Sequence, residues 1–507
     1  MQKLKTADWL FVTILVVFLI TSFATLSDFG MTWDEAAQHH IGKVGLDLLF
    51  GKTTAPEYLR ADLVYYGPAF EIVNQYFGSS FLQSFSIGYV DAYHIMIVLA
   101  AAAGLLFLYL LIKRLFNPAS ANLAVILLAL MPRFFAHAHY NSKDIPLMAG
   151  FVITLFFLTT GFLDGKWKKI ALAGAVFGLT LAIRMDAVLI LPVFFAAYLV
   201  YRLKKRPRPL LEDIKFTAIF SAAAAAAAFA LWPTLWREPS VLFASFQYFT
   251  HHGWEGLVFY MGQTYRAAEL PWHYSPMFLL ITTPLPILLL AALGFAISLR
   301  SLKKRENVFA HALLLLWFLI RIILTLLPGA IRYDGIRHLL IIFPVIAVWA
   351  ALGLQFLKRK LPRLWMKVAT AGAVLIWLII ELASVHPYGD SYFNEITRVS
   401  AGPHLEKKFE TEYWGTSVRE GTAWLNENAL ESATVCLPIA DHLLQFYPLR
   451  ADLLWQCTES PDYLMFFPRW PYLPQDLDER YRYKTKTPAH TISRQGSDLL
   501  YIYKLRE

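Results

Sequence analysis

Charge is what this sequence has little of. Only 16% of its 507 residues are charged, while 57% are hydrophobic. So little polar surface excludes one soluble core as the whole molecule, and lipid must serve as solvent. The chain is also poor in cysteine, with 2 residues, Cys436 and Cys457, both far beyond the apolar runs. It contains no C-x-x-C and no H-E-x-x-H, so no spacing argues for a dedicated metal centre. No internal repeat is visible, which removes a feature that many transporters show. The N-terminus carries Lys3 and Lys5 ahead of an apolar run, but the run continues to about Leu26 without a short h-region or an A-x-A cleavage site. An uncleaved first span is expected there rather than a signal peptide.

What the sequence does have is a series of apolar runs near the roughly 20 residues that cross a bilayer. Eleven spans are expected, at 9–27, 90–112, 119–131, 145–163, 170–183, 187–201, 214–231, 276–299, 309–328, 339–357 and 368–384. The third is short, and only Arg184, Met185 and Asp186 separate the fifth from the sixth. The net charge of +9 is carried between these runs in short clusters: KR at 113, KWKK at 166, RLKKRPR at 202, KKR at 303 and KRK at 358. With the N-terminus inside, every cluster falls on the cytoplasmic side, so the basic balance reports topology and not a nucleic-acid partner. The alanine run at 222–228 lies inside a span and predicts close helix packing by small residues.

This topology puts six segments outside: 28–89, 132–144, the tight turn 184–186, 232–275, 329–338 and the tail from Val385. Of the 14 histidines, only His311 falls at a cytoplasmic end. Either the polar chemistry faces outward, or His stands where Lys is disfavoured. The tail is not membrane-like. TSVREGTAWLNENAL reads as an amphipathic helix, and SATVCLPIA, DYLMFF and DLLYIYKL as short strands, which predicts a small α/β domain over 385–507 against a membrane domain over 1–384. Its two cysteines either pair, as an oxidising compartment permits, or stay as buried thiols.

Charged groups at a membrane boundary are costly unless solvated or paired, which makes them functional candidates. In FGMTWDEAAQHH, Asp34, Glu35, His39 and His40 follow the first span. If a helix begins after Thr32, the two acids occupy its first turn, where the dipole favours carboxylates, and one of them is explained by capping alone. PRFFAHAHYNSKDIP gathers Arg133, His137, His139, Asn141, Lys143 and Asp144. In an extended segment His137 and His139 would share a side, as metal ligands must, and Lys143 with Asp144 would make an ordinary rim salt bridge. GAIRYDGIRH concentrates Arg332, Asp334, Arg337 and His338 at the level of a lipid phosphate. The guanidinium fork suits phosphate oxygens, although arginines also snorkel to headgroups without specificity.

The motifs WDE, HAHYNSKDIP and RYDGIRH, with HPYGDSYFNE and FETEYWGTSVREGTAWL after the last span, together resemble the bacterial branch of the dolichyl-phosphate-mannose protein mannosyltransferases. These are glycosyltransferase family 39-like enzymes, related to the lipid A aminoarabinose transferases. The resemblance implies a polytopic α-helical membrane protein of the GT-C fold. It implies inverting transfer of a sugar from a polyprenyl-phosphate donor to a glycan, lipid or protein acceptor at the outer face of the bacterial cytoplasmic membrane. Carried over by position, Asp34 is the base with Glu35 beside it, and Lys143, Arg332 and Arg337 meet the donor phosphate. His39, His137, His139, Asn141, Asp144, Asp334 and His338 would line the pocket. No cofactor is implied, and assistance by a divalent cation stays open. A phosphate leaving group needs electrostatic stabilisation rather than a general acid, so a single base suffices, unlike the carboxylate pair of most glycoside hydrolases. The chain lacks the long central luminal insertion of the eukaryotic enzymes, which leaves the acceptor undefined. A transporter or flippase is the alternative, marked by Arg184 and Asp186, and a scaffold that binds through its tail is a third reading.

Overall fold

The computed structural model describes residues 6–53, 62–85, 87–205, 209–251, 254–458, 460–475, 477 and 487–506. Residues 206–208 of the expected basic cluster, and 54–61 and 86 of the first external loop, lie outside the described residues. In hydrocarbon every backbone polar group must be satisfied within its own segment, and the apolar runs are accordingly helices. The order begins α1 (Thr6–Ala24), α2 (Glu35–Leu49), α3 (Ala69–Asn74), α4 (Tyr89–Leu115), α5 (Pro118–Ala129), α6 (Pro132–Tyr140), α7 (Asp144–Asp164), α8 (Trp167–Leu181), α9 (Ile190–Lys205) and α10 (Leu210–Ala230). It continues with α11 (Val241–His251), a hairpin of β1 (Leu257–Tyr260) and β2 (Gln263–Arg266), α12 (Tyr274–Thr282), α13 (Leu285–Lys304), α14 (Val308–Leu326), α15 (Phe343–Lys360) and α16 (Leu364–Val385).

Among the described residues nine helical segments are long and apolar enough to cross a membrane, or ten when α5 and α6, bent by 71° to each other, count as one span. The bend falls at Met131–Pro132, where proline starts α6. PRFFAHAHY is therefore helical and not the extended loop expected. The eighth span begins at Leu285 rather than 276, because Thr283 is extended before Pro284 and Pro286 stands in the first turn of α13. The remaining expected span is α8, with 15 residues, about 22 Å at 1.5 Å per residue. It packs against α10 through glycine: a Cβ on Gly174 would lie 2.2 Å from the Phe220 carbonyl oxygen, and one on Gly178 2.1 Å from that of Ala224. Ala224 belongs to the alanine run, so small residues on both helices allow this close approach.

Beyond α16 come α17 (Glu395–Ala401) and α18 (Val418–Asn428), then β3 (Thr434–Cys436), β4 (Leu454–Trp455), β5 (Tyr463–Phe466), β6 (His490–Arg494) and β7 (Ser497–Lys504). They form a five-stranded sheet in the order β4-β3-β5-β7-β6, parallel across β4-β3-β5 and antiparallel beyond. The three expected strands are β3, β5 and β7, and the expected amphipathic helix is α18. Cys436 and Cys457 form a disulfide, which resolves the open alternative for the tail.

The tail shares its core with the segment between α1 and α4. Met31 packs in the tail cluster, whereas Tyr413 and Trp414 pack in the cluster of the helix bundle. The backbones touch where a Cβ on Gly30 would meet the Thr416 carbonyl oxygen at 2.0 Å. Beside that crossing, Trp33 N donates to the Trp414 carbonyl at 2.7 Å, and Met31 N donates to Tyr447 Oη at 2.5 Å.

Candidate functional site

Helix α2 starts at Glu35, and its first turn separates the two acids. Glu35 is buried: Oε2 accepts the Thr32 N–H at 2.5 Å, and Oε1 lies 2.9 Å from His94 Nε2. That is a capping arrangement, so Glu35 organises the loop. Asp34 stands at the N-cap position but makes no side-chain capping bond. Its carboxylate is 42% exposed and accepts a 2.7 Å hydrogen bond from Arg337. Burial pushes Asp34 up, but the cations Arg337, Arg469 and Lys143 outweigh it and hold the carboxyl below its ordinary value.

Arg337 heads the helical turn that leads into α15 and bridges two acids, with Asp34 on one nitrogen and Asp334 on another, each at 2.7 Å. Its guanidinium lies between the rings of Tyr333 and Trp414, 5.2 and 5.1 Å away. Asp334 also takes Arg469 of the tail at 3.3 Å. Asn141 ends α6 and starts α7: Oδ1 accepts the backbone N–H groups of Lys143 and Asp144, and Nδ2 reaches His137 Nδ1 and Asp144 Oδ2, both at 3.0 Å. This turn aims Lys143 into the interior, where Nζ sits 3.3 Å from the Tyr66 ring centre and makes no hydrogen bond among the described residues. Burial pushes Lys143 down to about 7, helped by Arg184 and opposed by Glu71 and Asp34. Burial in turn pushes Glu71 up to about 7, against its 2.6 Å bond from the Ser142 hydroxyl and the nearby Lys143.

Thr32, Asp34, Glu35, Asn141, Lys143 and Arg337 line one narrow cleft, with Trp414 of the tail on its wall. The cleft gathers a partly solvated carboxylate, a buried ammonium and a guanidinium from three separate interhelical segments. Other expected site residues lie elsewhere. Arg332 spends its guanidinium on the carbonyls of Thr325, Leu270 and Leu327, so it holds the chain end after α14 and not an anion in the cleft. His338 lines a different cavity together with Arg332. His39 stacks on Tyr93 at 3.5 Å and opens to a groove with His40 and Lys43 on the far side of α2. Helix geometry also separates the histidines of α6, since residues two apart on a helix do not share a face. His137 turns to Asn141 and Trp414, whereas the two ring nitrogens of His139 face the Phe135 and Ser22 carbonyls, one of which takes its single N–H, under the Phe29 ring. Asp144 pairs with Arg184 and not with Lys143.

Several contributors have weak signals or none in the sequence. Arg184 and Asp186 are paired at 2.8 Å, and Asp186 also holds Arg321 at 2.8 Å. Arg321 is a lone cation in the apolar run WFLIRIIL, a membrane signal that sequence reading passed over. Arg469, in FFPRWPY of the tail, carries no motif and reaches the site only through the fold. Glu412 accepts three backbone N–H groups and the Thr416 hydroxyl, which shapes the turn that carries Trp414.

A multispanning helical bundle with polar chemistry on its interhelical loops and a small α/β cap is the architecture of the GT-C membrane glycosyltransferases, and the chain has that fold. Residues 82–234 match the family of dolichyl-phosphate-mannose-protein mannosyltransferases, a segment that includes the Lys143 turn but neither Asp34 nor Arg337. ArnT from Cupriavidus metallidurans bound to undecaprenyl phosphate is similar over 98% of both chains, with a TM-score of 0.53 and 13% identity. The same protein in the apo state gives 0.52 and 12% identity, again over 98% of each chain. The Archaeoglobus fulgidus oligosaccharyltransferase in the apo form gives 0.51 and 13% identity over 89% of this chain and 61% of its own. No curated protein matches the sequence.

Proposed function

We propose that this protein is a glycosyltransferase that moves a sugar from a polyprenyl-phosphate donor to an acceptor at the outer face of a bacterial cytoplasmic membrane, with inversion at the anomeric carbon. One observation carries the reading: Lys143 and Arg337 flank Asp34 in a single cleft. In a polyprenyl-phosphate sugar the phosphate is a diester with one negative charge, and it departs as a monoester with two. Cations placed beside it therefore interact more strongly with the transition state than with the ground state, which is how electrostatic catalysis lowers a barrier. The anomeric carbon–phosphate oxygen bond breaks as the acceptor hydroxyl oxygen attacks from the opposite side, and Asp34 takes the hydroxyl proton. Asp34 is ion-paired to Arg337 in the free protein. The donor phosphate competes for that guanidinium and so frees the carboxylate as a base.

This reading places the N-terminus in the cytoplasm and the C-terminal domain, residues 385–507, outside. Its partners are the lipid-linked donor, a glycan, lipid or protein acceptor, and membrane lipids. The test is transfer by the purified full chain in lipid nanodiscs, offered a panel of polyprenyl-phosphate sugars, wild type against Asp34→Asn. A positioned base contributes about 10²–10⁴ in rate, and a loss of that size with unchanged thermal unfolding is expected. Near wild-type transfer by the variant removes Asp34 from its role. Donor movement across vesicles without a glycosylated product favours the flippase.

A further inference from the structure

The geometry points to a second polar centre that shares no residue with the cleft: a zinc-type divalent-cation site in the C-terminal domain, on His404, Glu406 and Asp498. His404 Nδ1 lies 3.1 Å from Glu406 Oε1 and 3.4 Å from Asp498 Oδ2, and the three ligand atoms lie within 4.8 Å of one another. A tetrahedral zinc with bonds of about 2.0–2.1 Å sets its ligands about 3.3–3.4 Å apart, close to both His404 distances, so the three atoms stand near three of its corners.

Each carboxylate is held by a partner on its other oxygen, as metal ligands commonly are. Glu406 is fully buried and spends Oε2 on the Asp498 N–H at 3.2 Å, which leaves Oε1 facing the centre. Asp498 spends Oδ1 on the Ser493 hydroxyl at 2.6 Å, which leaves Oδ2 facing it. Ser493 and Asp498 are paired at a β-bulge in the β6–β7 ladder, a feature that re-aims side chains. His404 adopts a left-handed backbone, φ 66°, anchored by its N–H to the Gly496 carbonyl at 2.8 Å. Such a conformation persists in a non-glycine residue only where the surroundings over-determine it. Tyr501 Oη closes one flank within hydrogen-bond reach of both facing oxygens, 3.1 Å from Asp498 Oδ2 and 3.4 Å from Glu406 Oε1, a place that a bound ion would take over. The imidazole is 37% exposed, so the fourth corner opens to water.

One nitrogen with two carboxylates suits zinc better than calcium or magnesium, which take six or more oxygens. A bound ion would fasten the linker after α17 to the β6–β7 hairpin. That hairpin is also where Arg494 holds the His386 carbonyl at the end of α16. The site would thus secure the tail to the membrane helices.

The test uses the tag-free full chain in nanodiscs, stripped with a chelator, titrated with zinc against a chromophoric competitor and followed by thermal unfolding. One tightly held zinc per chain is expected, with a rise in the unfolding midpoint. His404→Ala and Asp498→Asn should each weaken binding about tenfold or more, and His490→Ala, elsewhere on the same hairpin, should leave it unchanged. A cobalt(II)-loaded chain should show the intense visible absorption of a tetrahedral site. Absence of a stoichiometric zinc, equal binding by His404→Ala, or a weak octahedral cobalt spectrum overturns the site and leaves an ordinary ion pair. If a variant fails to fold, the wild-type cobalt spectrum alone decides. None of these readouts depends on glycosyl transfer.

Discussion

An ammonium buried against a tyrosine ring holds its proton weakly, and Lys143 is such a group. Under the proposed function a bound phosphate would supply the countercharge that burial denies it, and donor binding and protonation of Lys143 would be linked. Below about pH 7 the folded protein already carries the ammonium; above it, up to the ordinary 10.5, binding must first take up a proton. Glu71 sheds its proton over the same range and adds negative charge nearby, so donor KM should rise as pH increases through about 7 on both counts. Lys143→Gln should raise KM at pH 6 about tenfold or more, the worth of one hydrogen bond to a charged group at roughly 1.5–3 kcal/mol, and should leave only the shallower pH dependence of Glu71. A wild-type profile that stays level from pH 6 to 8.5 would place the phosphate elsewhere. The same residue shows where sequence reading stops. The motif announces Lys143 and Asp144 side by side, but Arg184, forty positions later, takes Asp144 and leaves Lys143 without an acid in direct contact among the described residues. Asp34 and Glu35 differ for a related reason: neighbours on a helix point about 100° apart, and only the packing of His94 shows which one turns inward.

Among the elements, the long spans were legible because lipid leaves the backbone no alternative to helix. The irregular pieces were not. PRFFAHAHY has a loop's polarity, yet proline at its first helical position and burial on all sides make it α6, and helical periodicity then sends His137 and His139 apart. The expected span at 276–299 is split by TTPLP, a breaker masked by the apolar residues around it. The short α8 survives on glycine contacts with α10, which predicts a sharp local sensitivity. Gly178→Val puts a branched side chain where even a Cβ would meet the Ala224 backbone at 2.1 Å. The helices must separate, at a cost of about 1–3 kcal/mol by the general penalty for overpacking. Gly372→Ala on α16, where nothing stands within 4 Å, is the matched control. Thermal unfolding in detergent should fall by several degrees for the first variant and hold or rise slightly for the second. Equal midpoints would mean that α8 and α10 part without loss.

At the scale of the whole molecule, the tail is part of the site rather than an appendage. Trp414 walls the cleft, and Arg469 reaches across to Asp334 at 3.3 Å while bonding the Tyr413 carbonyl at 2.8 Å and lying over the Trp33 ring at 4.8 Å. Strands and helix in the tail could be read from pattern, but no pattern in a single sequence says that residue 469 meets residue 334. Arg337 and Arg469 share Asp334. With Arg469 present, Asp334 has a second cation and Arg337 is free to hold Asp34; without it, the buried Asp334 draws on Arg337 alone. Breaking one partner from a buried ion pair costs about 3–5 kcal/mol, so Arg469→Gln should loosen the tail as well as redistribute the charge. Hydrogen exchange separates the two effects from general unfolding. The Trp33 amide, bonded to the Trp414 carbonyl, and the segment 412–416 should exchange faster, while the membrane helices keep their protection. Transfer should fall together with that protection. If exchange at Trp33 stays at the wild-type rate while transfer is lost, Arg469 acts on the cleft's charge alone. If neither changes, the tail's hold on the site runs through the Gly30 and Trp414 contacts instead.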